Sequence, residues 1–142
     1  MARKNKKISC AILIIGNEIL SGRTKDLNTS AISKWLNSIG IEVKEGRVIP
    51  DDETVIVDTV NSLRKKFDYI FTSGGIGPTH DDITAKSLSK AFDRRYEIHD
   101  EAYKILEKYY GKSQFNEGRQ RMELLHCTLC DTADGSSPSI KR

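Results

Sequence analysis

The residues best suited to chemistry lie in positions 73–84, which read Ser-Gly-Gly-Ile-Gly-Pro-Thr-His-Asp-Asp-Ile-Thr. The glycines at 74, 75 and 77 reach positive φ at little steric cost and let backbone approach a ligand closely. A helix predicted to follow offers free N–H groups and a positive dipole end, which favour a phosphate. The stretch therefore predicts a phosphate-binding loop, whose candidate contacts are Ser73, Gly74, Gly75, Gly77, Pro78, Thr79, His80 and Thr84.

Two carboxylates, Asp81 and Asp82, close the same stretch, and they do not suit a bare phosphate cradle. They suit a bound divalent metal, a general base or a hydroxyl-bearing ligand. Simpler roles stay open beside these. Asp82 could cap the next helix, because Asp is a strong N-cap residue, and Asp81 could be a solvated loop carboxylate. Ser73 and Thr84 could stabilise the loop through their hydroxyls, and His80 could be an ordinary loop residue.

Two further polar segments follow apolar runs that predict strands. Gly16-Asn17-Glu18 follows the near-continuous apolar run 8–15, and Asp51-Asp52 follows the more alternating run 41–49. A continuous run is typical of a strand buried on both faces, and alternation is typical of a strand nearer an edge. Residues 69–72 form the third predicted strand, directly before the glycine loop. Asp51 could be a ligand group, or it could cap the helix predicted over residues 54–67.

Helical spacing separates these strands. Ile32, Trp35, Leu36 and Ile39 recur at one face of a helix, and this spacing predicts that Trp35 lies in the core. Further helical patterns occupy residues 54–67, 85–92 and the segment after Asp100. Strands that alternate with helices predict a three-layer α/β/α fold with a mostly parallel sheet and right-handed crossovers.

In a sheet of this kind the ligand lies beyond the carboxyl ends of the strands, where the strand order reverses. All three polar segments follow strands, so they fall at one edge of the sheet. If the order is 2-1-3, Glu18 and the glycine loop face each other across the crevice. We therefore expect Glu18, Asp51, Asp81 and Asp82 to converge beside the loop.

Composition narrows the class of protein. A chain of 142 residues with 37% hydrophobic and 30% charged residues predicts one domain, and a net charge of +3 is too weak to argue for nucleic acid. No apolar run approaches the roughly 20 residues that a membrane span needs. Three cysteines without a secretory signal indicate a reducing compartment, so a cytoplasmic location is expected. The basic residues within positions 1–7 predict a solvated N-terminal tail.

Two motifs resemble the molybdopterin-binding (MoaB/Mog-type) domain family, and within it the branch at the N-terminus of competence/damage-inducible protein A (CinA). The first motif is Gly-Asn-Glu-Ile-Leu-Ser-Gly at residues 16–22, followed by Asp-Leu-Asn-Thr at 26–29. The second is the glycine loop at residues 73–84. The spacing between them, with Pro50-Asp51-Asp52 in the middle, also fits. A lone Gly-Gly-x-Gly would be weak evidence, but this combination is specific.

The resemblance implies a ligand that carries a phosphate on a pterin or nucleotide, such as molybdopterin. Asp51 and Asp82 match the functional aspartates of Mog-type members, which implies a catalytic role for both. The three loop glycines would hold the phosphate through backbone N–H groups. Glu18, with Gly16 and Asn17, matches the Gly-Asn-Glu step that lies near the ligand.

The CinA branch implies an alternative function. Its members resemble divalent-metal-dependent pyrophosphatases that act on ADP-ribose-like or FAD-like dinucleotides. In that case Glu18, Asp81 and Asp82 would hold Mg²⁺, and His80 belongs to the pattern of the branch. A degenerate, non-catalytic domain is the third possibility.

The likeness is expected over residues 8–123, with 124–142 as an atypical tail, so the C-terminal part of the family fold is expected to be missing or altered. Cys127 and Cys130 form one Cys-x-x-Cys pair, and a closed zinc site usually needs a second pair. A sheet edge left uncovered by a missing strand tends to recruit another chain. A homo-oligomer is therefore expected.

Overall fold

The computed structural model describes residues 7–96, 100–111 and 116–120. The tail at 124–142, with Cys127 and Cys130, and residues 1–6 lie outside the described residues. The elements in chain order are β1 (Ile8–Ile15), α1 (Asn17–Leu20), α2 (Asn28–Ser38), β2 (Ile41–Ile49), α3 (Glu53–Leu63), β3 (Tyr69–Ser73), α4 (Thr84–Ala91), α5 (Asp100–Tyr110) and α6 (Glu117–Gln120).

The three strands form one parallel sheet in the order β2-β1-β3. The predicted order 2-1-3 is confirmed, and β2 is an edge strand of this sheet, as its alternating pattern indicates. The reversal of strand order falls between β1 and β3. The carboxyl ends of all three strands therefore meet at one edge, where the polar segments of the sequence lie.

β1 is buried on both faces, which explains its continuous apolar run. Ala11, Leu13 and Ile15 face one core, which α3 and α4 complete with Ile56, Val60, Leu63, Leu88 and Ala91. The alternate residues Cys10, Ile12 and Ile14 face a second core, which α2 completes with Leu36. Helices cover both faces of a parallel sheet, so the predicted three-layer α/β/α class is confirmed. Burial also raises the pKa of the Cys10 thiol.

Short-range hydrogen bonds explain where the helices begin. The side chain of Asp52 accepts a hydrogen bond from the backbone N–H of Val55 and so caps α3. The side chain of Asp26 accepts from the backbone N–H groups of Asn28 and Thr29, at 2.9 and 3.1 Å, and from the Thr29 hydroxyl. Asp51 is therefore not needed as the cap of α3, and its carboxylate is left for other contacts.

The prediction that Trp35 lies in the core is wrong. Of the α2 stripe, Leu36 is buried, but Trp35 is 58% exposed and Ile39 is 53% exposed. Helical spacing identifies the whole apolar face of α2, and this face is wider than the part of it that the sheet covers. In the described residues the sheet has three strands, so α2 buries only the centre of its apolar face.

The outer edge of β3 is uncovered by any other strand of the described residues. A cavity of about 410 Å³ lies beside it, between β3, α3 and α4, and is lined by Val60, Phe67, Ile70, Leu88 and Phe92 among others. Within the described part of the chain, no helix has the length and apolarity that crossing a membrane requires.

Candidate functional site

The loops after β1 and β2 are joined directly at the carboxyl edge of the sheet. The N–H of Gly16 donates to the Ile49 carbonyl at 3.0 Å, and the N–H of Asn17 donates to Asp51 Oδ2 at 2.8 Å. The other oxygen, Oδ1, lies 3.4 Å from the place where a side chain at Gly75 would begin. Asp51 therefore connects the first two loops and borders the third.

Gly74 and Gly75 have φ of +96° and +61°. This is the left-handed region that glycine tolerates best. A side chain at 74 would collide with the Ile15 carbonyl oxygen, and one at 75 would collide with the Thr84 hydroxyl. The glycines are thus required by the packing of the loop against the protein itself, in addition to any close approach by a ligand.

Thr84 holds the glycine loop from beneath. It is 1% exposed, its hydroxyl donates to the Gly74 carbonyl at 2.8 Å, and its N–H donates to the Gly75 carbonyl at 3.1 Å. A buried hydroxyl with a backbone partner is not available to a ligand in this conformation. Of the two roles left open by the sequence, the geometry favours loop stabilisation.

Two backbone donors of the glycine loop are unused. The N–H groups of Gly75 and Ile76 make no hydrogen bond with any described residue. Successive free N–H groups in a turn form a concavity that binds anions. The side-chain position of Gly75 lies 3.4 Å from Asp51 Oδ1, so this part of the loop and a carboxylate border the same space.

Asp82 organises the remainder of the loop. Its Oδ2 accepts from the N–H of Thr79 at 2.8 Å and from the Thr79 hydroxyl at 2.5 Å, and it lies where a side chain at Gly77 would begin. Burial alone would raise the pKa of Asp82, but hydrogen bonds from the Thr79 hydroxyl and from the backbone of Gly77 and Thr79 hold it below its ordinary value. Asp82 does not cap α4, the simpler role that the sequence left open, because Ile83 occupies the cap position without a side-chain bond.

Asp81 and His80 face solvent. Their side chains are 70% and 93% exposed, and His80 Nδ1 lies 4.0 Å from Asp81 Oδ1. Pro78 is also exposed, and its carbonyl oxygen lies against Gly118 of α6. Among the residues that the structure describes, no three His, Cys, Asp or Glu side chains are grouped to hold a metal ion. Glu18, Asp81 and Asp82 are therefore not a preassembled metal cluster.

Glu18 follows β1 and lies in the short helix α1. Its carboxylate folds back over Gly16, with both oxygens 2.8 Å from the position that a side chain at 16 would occupy. It lines a cavity of about 230 Å³ between the end of β1 and the start of α2. The cavity is the smaller of the two described here, but it lies at the strand-order reversal, whereas the larger one lies along the β3 edge.

A contact that the sequence did not predict joins this cavity to the glycine loop. Asn28 Nδ2 donates to Ser73 Oγ at 2.8 Å across 45 positions of the chain. Asn28 belongs to the Asp-Leu-Asn-Thr motif, but a polar residue at a helix start reads as a cap from sequence alone. Lys25 and Asp26 line the same cavity and were also missed. The association of the motif with the Gly-Asn-Glu step was the signal that could have identified them.

The chain matches the family model described as "Probable molybdopterin binding domain" over residues 11–138. It is 38% identical to a protein named "Probable FAD synthase" from Caenorhabditis elegans, over 75% of this chain and 21% of that protein. It is 36% identical to a CinA-like protein from Syntrophotalea carbinolica, over 74% of this chain and 26% of that protein. The chain thus spans about a quarter or less of these two relatives.

Solved structures show the same fold. The crystal structure of the CinA protein of unknown function from Thermoplasma acidophilum superposes with a TM-score of 0.76 at 31% identity, covering 81% of this chain and 68% of that one. The tungsten cofactor synthesizing protein MoaB from Pyrococcus furiosus superposes with a TM-score of 0.57 at 22% identity, covering 76% and 67%; this likeness concerns the fold alone. Because the family model covers most of its length, the chain belongs to the probable molybdopterin-binding domain family, with CinA-like proteins among its relatives.

Proposed function

We propose that this domain binds a phosphorylated pterin- or nucleotide-like ligand, of the molybdopterin type, with its phosphate on the glycine loop. One observation carries the proposal. The backbone of Gly75, whose N–H makes no hydrogen bond with any described residue, lies beside the unused Oδ1 of Asp51, in a loop that Thr84 and Asp82 hold in place. Membership of a molybdopterin-binding family supports the pterin as the ligand class.

Asp51 and Asp82 have different roles in this proposal. Asp51 keeps one oxygen free, so it faces the ligand and acts on the group attached to the phosphate. The carboxylate of Asp82 instead accepts hydrogen bonds from the N–H and the hydroxyl of Thr79. It acts by fixing the loop, although both were expected to be catalytic. Preorganised donors of this kind need no rearrangement when charge arrives.

A metal-dependent pyrophosphatase is the second candidate, and the exposed Asp81 beside the loop favours it. Mg²⁺ commonly binds through one or two carboxylates together with substrate phosphates, so a preassembled protein cage is not required. Asp81 and Asp51 would hold the ion together with the phosphates, and Glu18 would approach from the other side of the crevice. When bound, such an ion neutralises phosphate charge and lowers the pKa of an attacking water.

Calorimetry with AMP, ADP-ribose, FAD and a molybdopterin precursor, each with and without Mg²⁺, tests the proposal. The variant Ile76→Pro deletes one unpaired N–H without breaking a hydrogen bond of the described protein, and Ile76→Ala is its matched control. We expect Ile76→Pro to weaken binding by roughly tenfold, as the loss of about 1.5 kcal/mol for a charge-assisted hydrogen bond predicts, and Ile76→Ala to bind normally. Equal affinity of two folded variants would contradict a backbone phosphate site.

Product analysis separates the two candidates and the non-catalytic alternative. Asp51→Asn keeps an acceptor for the Asn17 N–H but removes the charge, and Asp52→Asn is the adjacent control, because Asn also caps helices well. Release of AMP from ADP-ribose or FAD only with Mg²⁺, lost in Asp51→Asn alone, supports the pyrophosphatase. Binding without turnover supports a binding domain. If no phosphorylated ligand binds, the proposal fails in both forms.

A further inference from the structure

Charge is divided between the two edges of the sheet. The carboxyl edge carries the carboxylates of the candidate site, whereas the opposite, amino edge carries basic residues. α3 ends at Leu63 and β3 begins at Tyr69. The turn between them, which contains Arg64, Lys65 and Lys66, therefore lies at the amino edge. The net charge of +3 is a sum over both edges, so it describes neither of them.

A second basic turn lies beside the first. The guanidinium carbon of Arg64 lies 5.1 Å from the centroid of the Phe92 ring, directly after the end of α4. Arg94 and Arg95 follow in the chain, and the N–H of Arg94 donates to the Ser89 carbonyl of α4 at 2.8 Å. The ends of α3 and α4 therefore bring two basic turns together.

The positive charge of these turns is not neutralised within the described residues. Five basic side chains are exposed and form no ion pair there, namely Arg64, Lys65, Lys66, Arg94 and Arg95. The same turns contain two acidic residues, Asp68 and Asp93, and the Asp68 carboxylate accepts from the N–H and hydroxyl of Ser9. A cation in the last turn of a helix balances the helix dipole, but these five residues lie beyond the last residue of α3 or of α4.

Aromatic surface adjoins the basic turns. Tyr69 is 52% exposed, and its ring centroid lies 6.4 Å from that of Phe71. Together with Arg64 and Phe92 it lines the cavity of about 410 Å³ beside β3. Cations that follow a phosphate backbone, next to aromatic rings on which bases stack, are typical of surfaces that bind single-stranded nucleic acid. An acidic peptide would use the charges alone, so the aromatic rings favour nucleic acid.

We propose that the face formed by residues 64–69 and 92–95 binds single-stranded nucleic acid without base specificity. The phosphates lie on the five cations, and a base stacks on the adjoining aromatic surface. This face lies at the opposite edge of the sheet from the glycine loop. It is therefore independent of the function proposed above, and the two sites can be occupied together.

Salt dependence tests the proposed face in the wild-type protein, with a fluorescently labelled oligothymidylate as the probe. Five phosphates neutralised on a single strand give a slope of about −3.5 for the logarithm of affinity against that of salt, or roughly a hundredfold loss between about 50 and 200 mM. We expect anisotropy titrations to approach this slope. A labelled oligoglutamate of equal charge should bind at least about fivefold more weakly, because it lacks a base that stacks. Equal binding of the two polymers would overturn the proposal in favour of an acidic peptide, and binding of neither at low salt would overturn the surface itself.

Neutralising single lysines assigns the binding to this face. We expect Lys65→Gln and Lys66→Gln each to reduce the slope by about 0.7, and together by about 1.4. Both residues are exposed, so urea unfolding should remain as in wild type. Lys34→Gln, on α2 across the sheet, removes the same charge as either single variant and should leave the slope unchanged. A slope reduced equally by Lys34→Gln and Lys65→Gln would show that binding follows total charge, and would overturn the proposal.

Discussion

At the scale of single residues, carboxylates that are adjacent in the sequence make different contacts in the fold. Asp51 and Asp52 are adjacent carboxylates after β2, but Asp52 caps α3 and Asp51 reaches the loop after β1. Asp81 and Asp82 separate in the same way, because Asp82 turns into the loop and Asp81 faces solvent. A candidate site built on residue type alone cannot distinguish the members of these pairs.

The lowered pKa of Asp82 makes a prediction about acid stability. A carboxyl whose pKa is lower in the folded than in the unfolded state stabilises the fold above its unfolded pKa, ordinarily 3.8, and loses that contribution as pH falls through the folded value. We therefore expect Asp82→Asn to be less stable than wild type at neutral pH and to show a flatter loss of unfolding free energy below that range. Urea unfolding followed by circular dichroism across pH measures both.

The Thr79 hydroxyl provides the control for this pH effect. Thr79→Val removes a hydrogen bond that lowers the pKa of Asp82, whereas Thr79→Ser keeps it. We expect the valine variant to resemble Asp82→Asn and the serine variant to resemble wild type. An acid-unfolding profile that is identical in wild type and Asp82→Asn would show that the Asp82 carboxylate is not linked to folding.

At the scale of elements, the start of α2 makes two sets of hydrogen bonds, one within its own turn and one to the end of β3. Asp26 satisfies the N–H groups of Asn28 and Thr29, and the same turn places the Asn28 amide against Ser73 at the end of β3. The hydrogen bonds of Asp26 with the Thr29 hydroxyl, and with the backbone of Thr29 and Asn28, also hold its pKa below the ordinary value despite partial burial. The helix start is thereby fixed relative to the glycine loop.

Removing these hydrogen bonds should cost stability. We expect Asp26→Ala to lower the unfolding free energy by about 1 kcal/mol, the scale for losing a side chain that accepts from the first N–H groups of a helix, and Asp26→Asn to cost much less because Asn can accept the same bonds. Urea unfolding of the two variants measures the difference. Equal destabilisation by Ala and Asn would show that the charge of Asp26, rather than its capping geometry, matters.

At the scale of the whole molecule, the described residues leave β3 with an open edge beside an apolar cavity of about 410 Å³. An unpaired strand edge is a template for another chain. Tyr69, on this edge, is 52% exposed. The expected homo-oligomer would have this edge as its natural contact.

Self-association through β3 is therefore a prediction about the full chain. We expect sedimentation equilibrium in the tens-of-micromolar range to show an oligomer, and Tyr69→Lys to shift it toward monomer, because a charge on an edge strand opposes edge-to-edge pairing. Trp35→Lys on α2 is the matched control, since Trp35 is a comparably exposed aromatic residue on the other layer. A monomeric wild type, or disruption by the Trp35 variant alone, would contradict contact through β3.

The sequence by itself determined the alternation of the three strands with the longer helices, the parallel sheet and the edge at which the polar segments lie, but not the short helices α1 and α6. These follow from local information: the continuous apolar run of β1 requires cover on both faces, and alternation with helices requires crossovers. It also identified the glycine loop, because three glycines so close together are rare without a backbone reason.

Only the tertiary structure decided which side chains are free to act. The partner of Asp51 is 34 positions away and that of Asn28 is 45 positions away, and such distances leave no periodic trace in the sequence. Burial of Thr84 and exposure of Trp35 likewise depend on what other segments cover them. Periodicity specifies which face of an element is apolar. The width of the surface that packs against that face, and the partner of each polar group, follow from the assembled sheet.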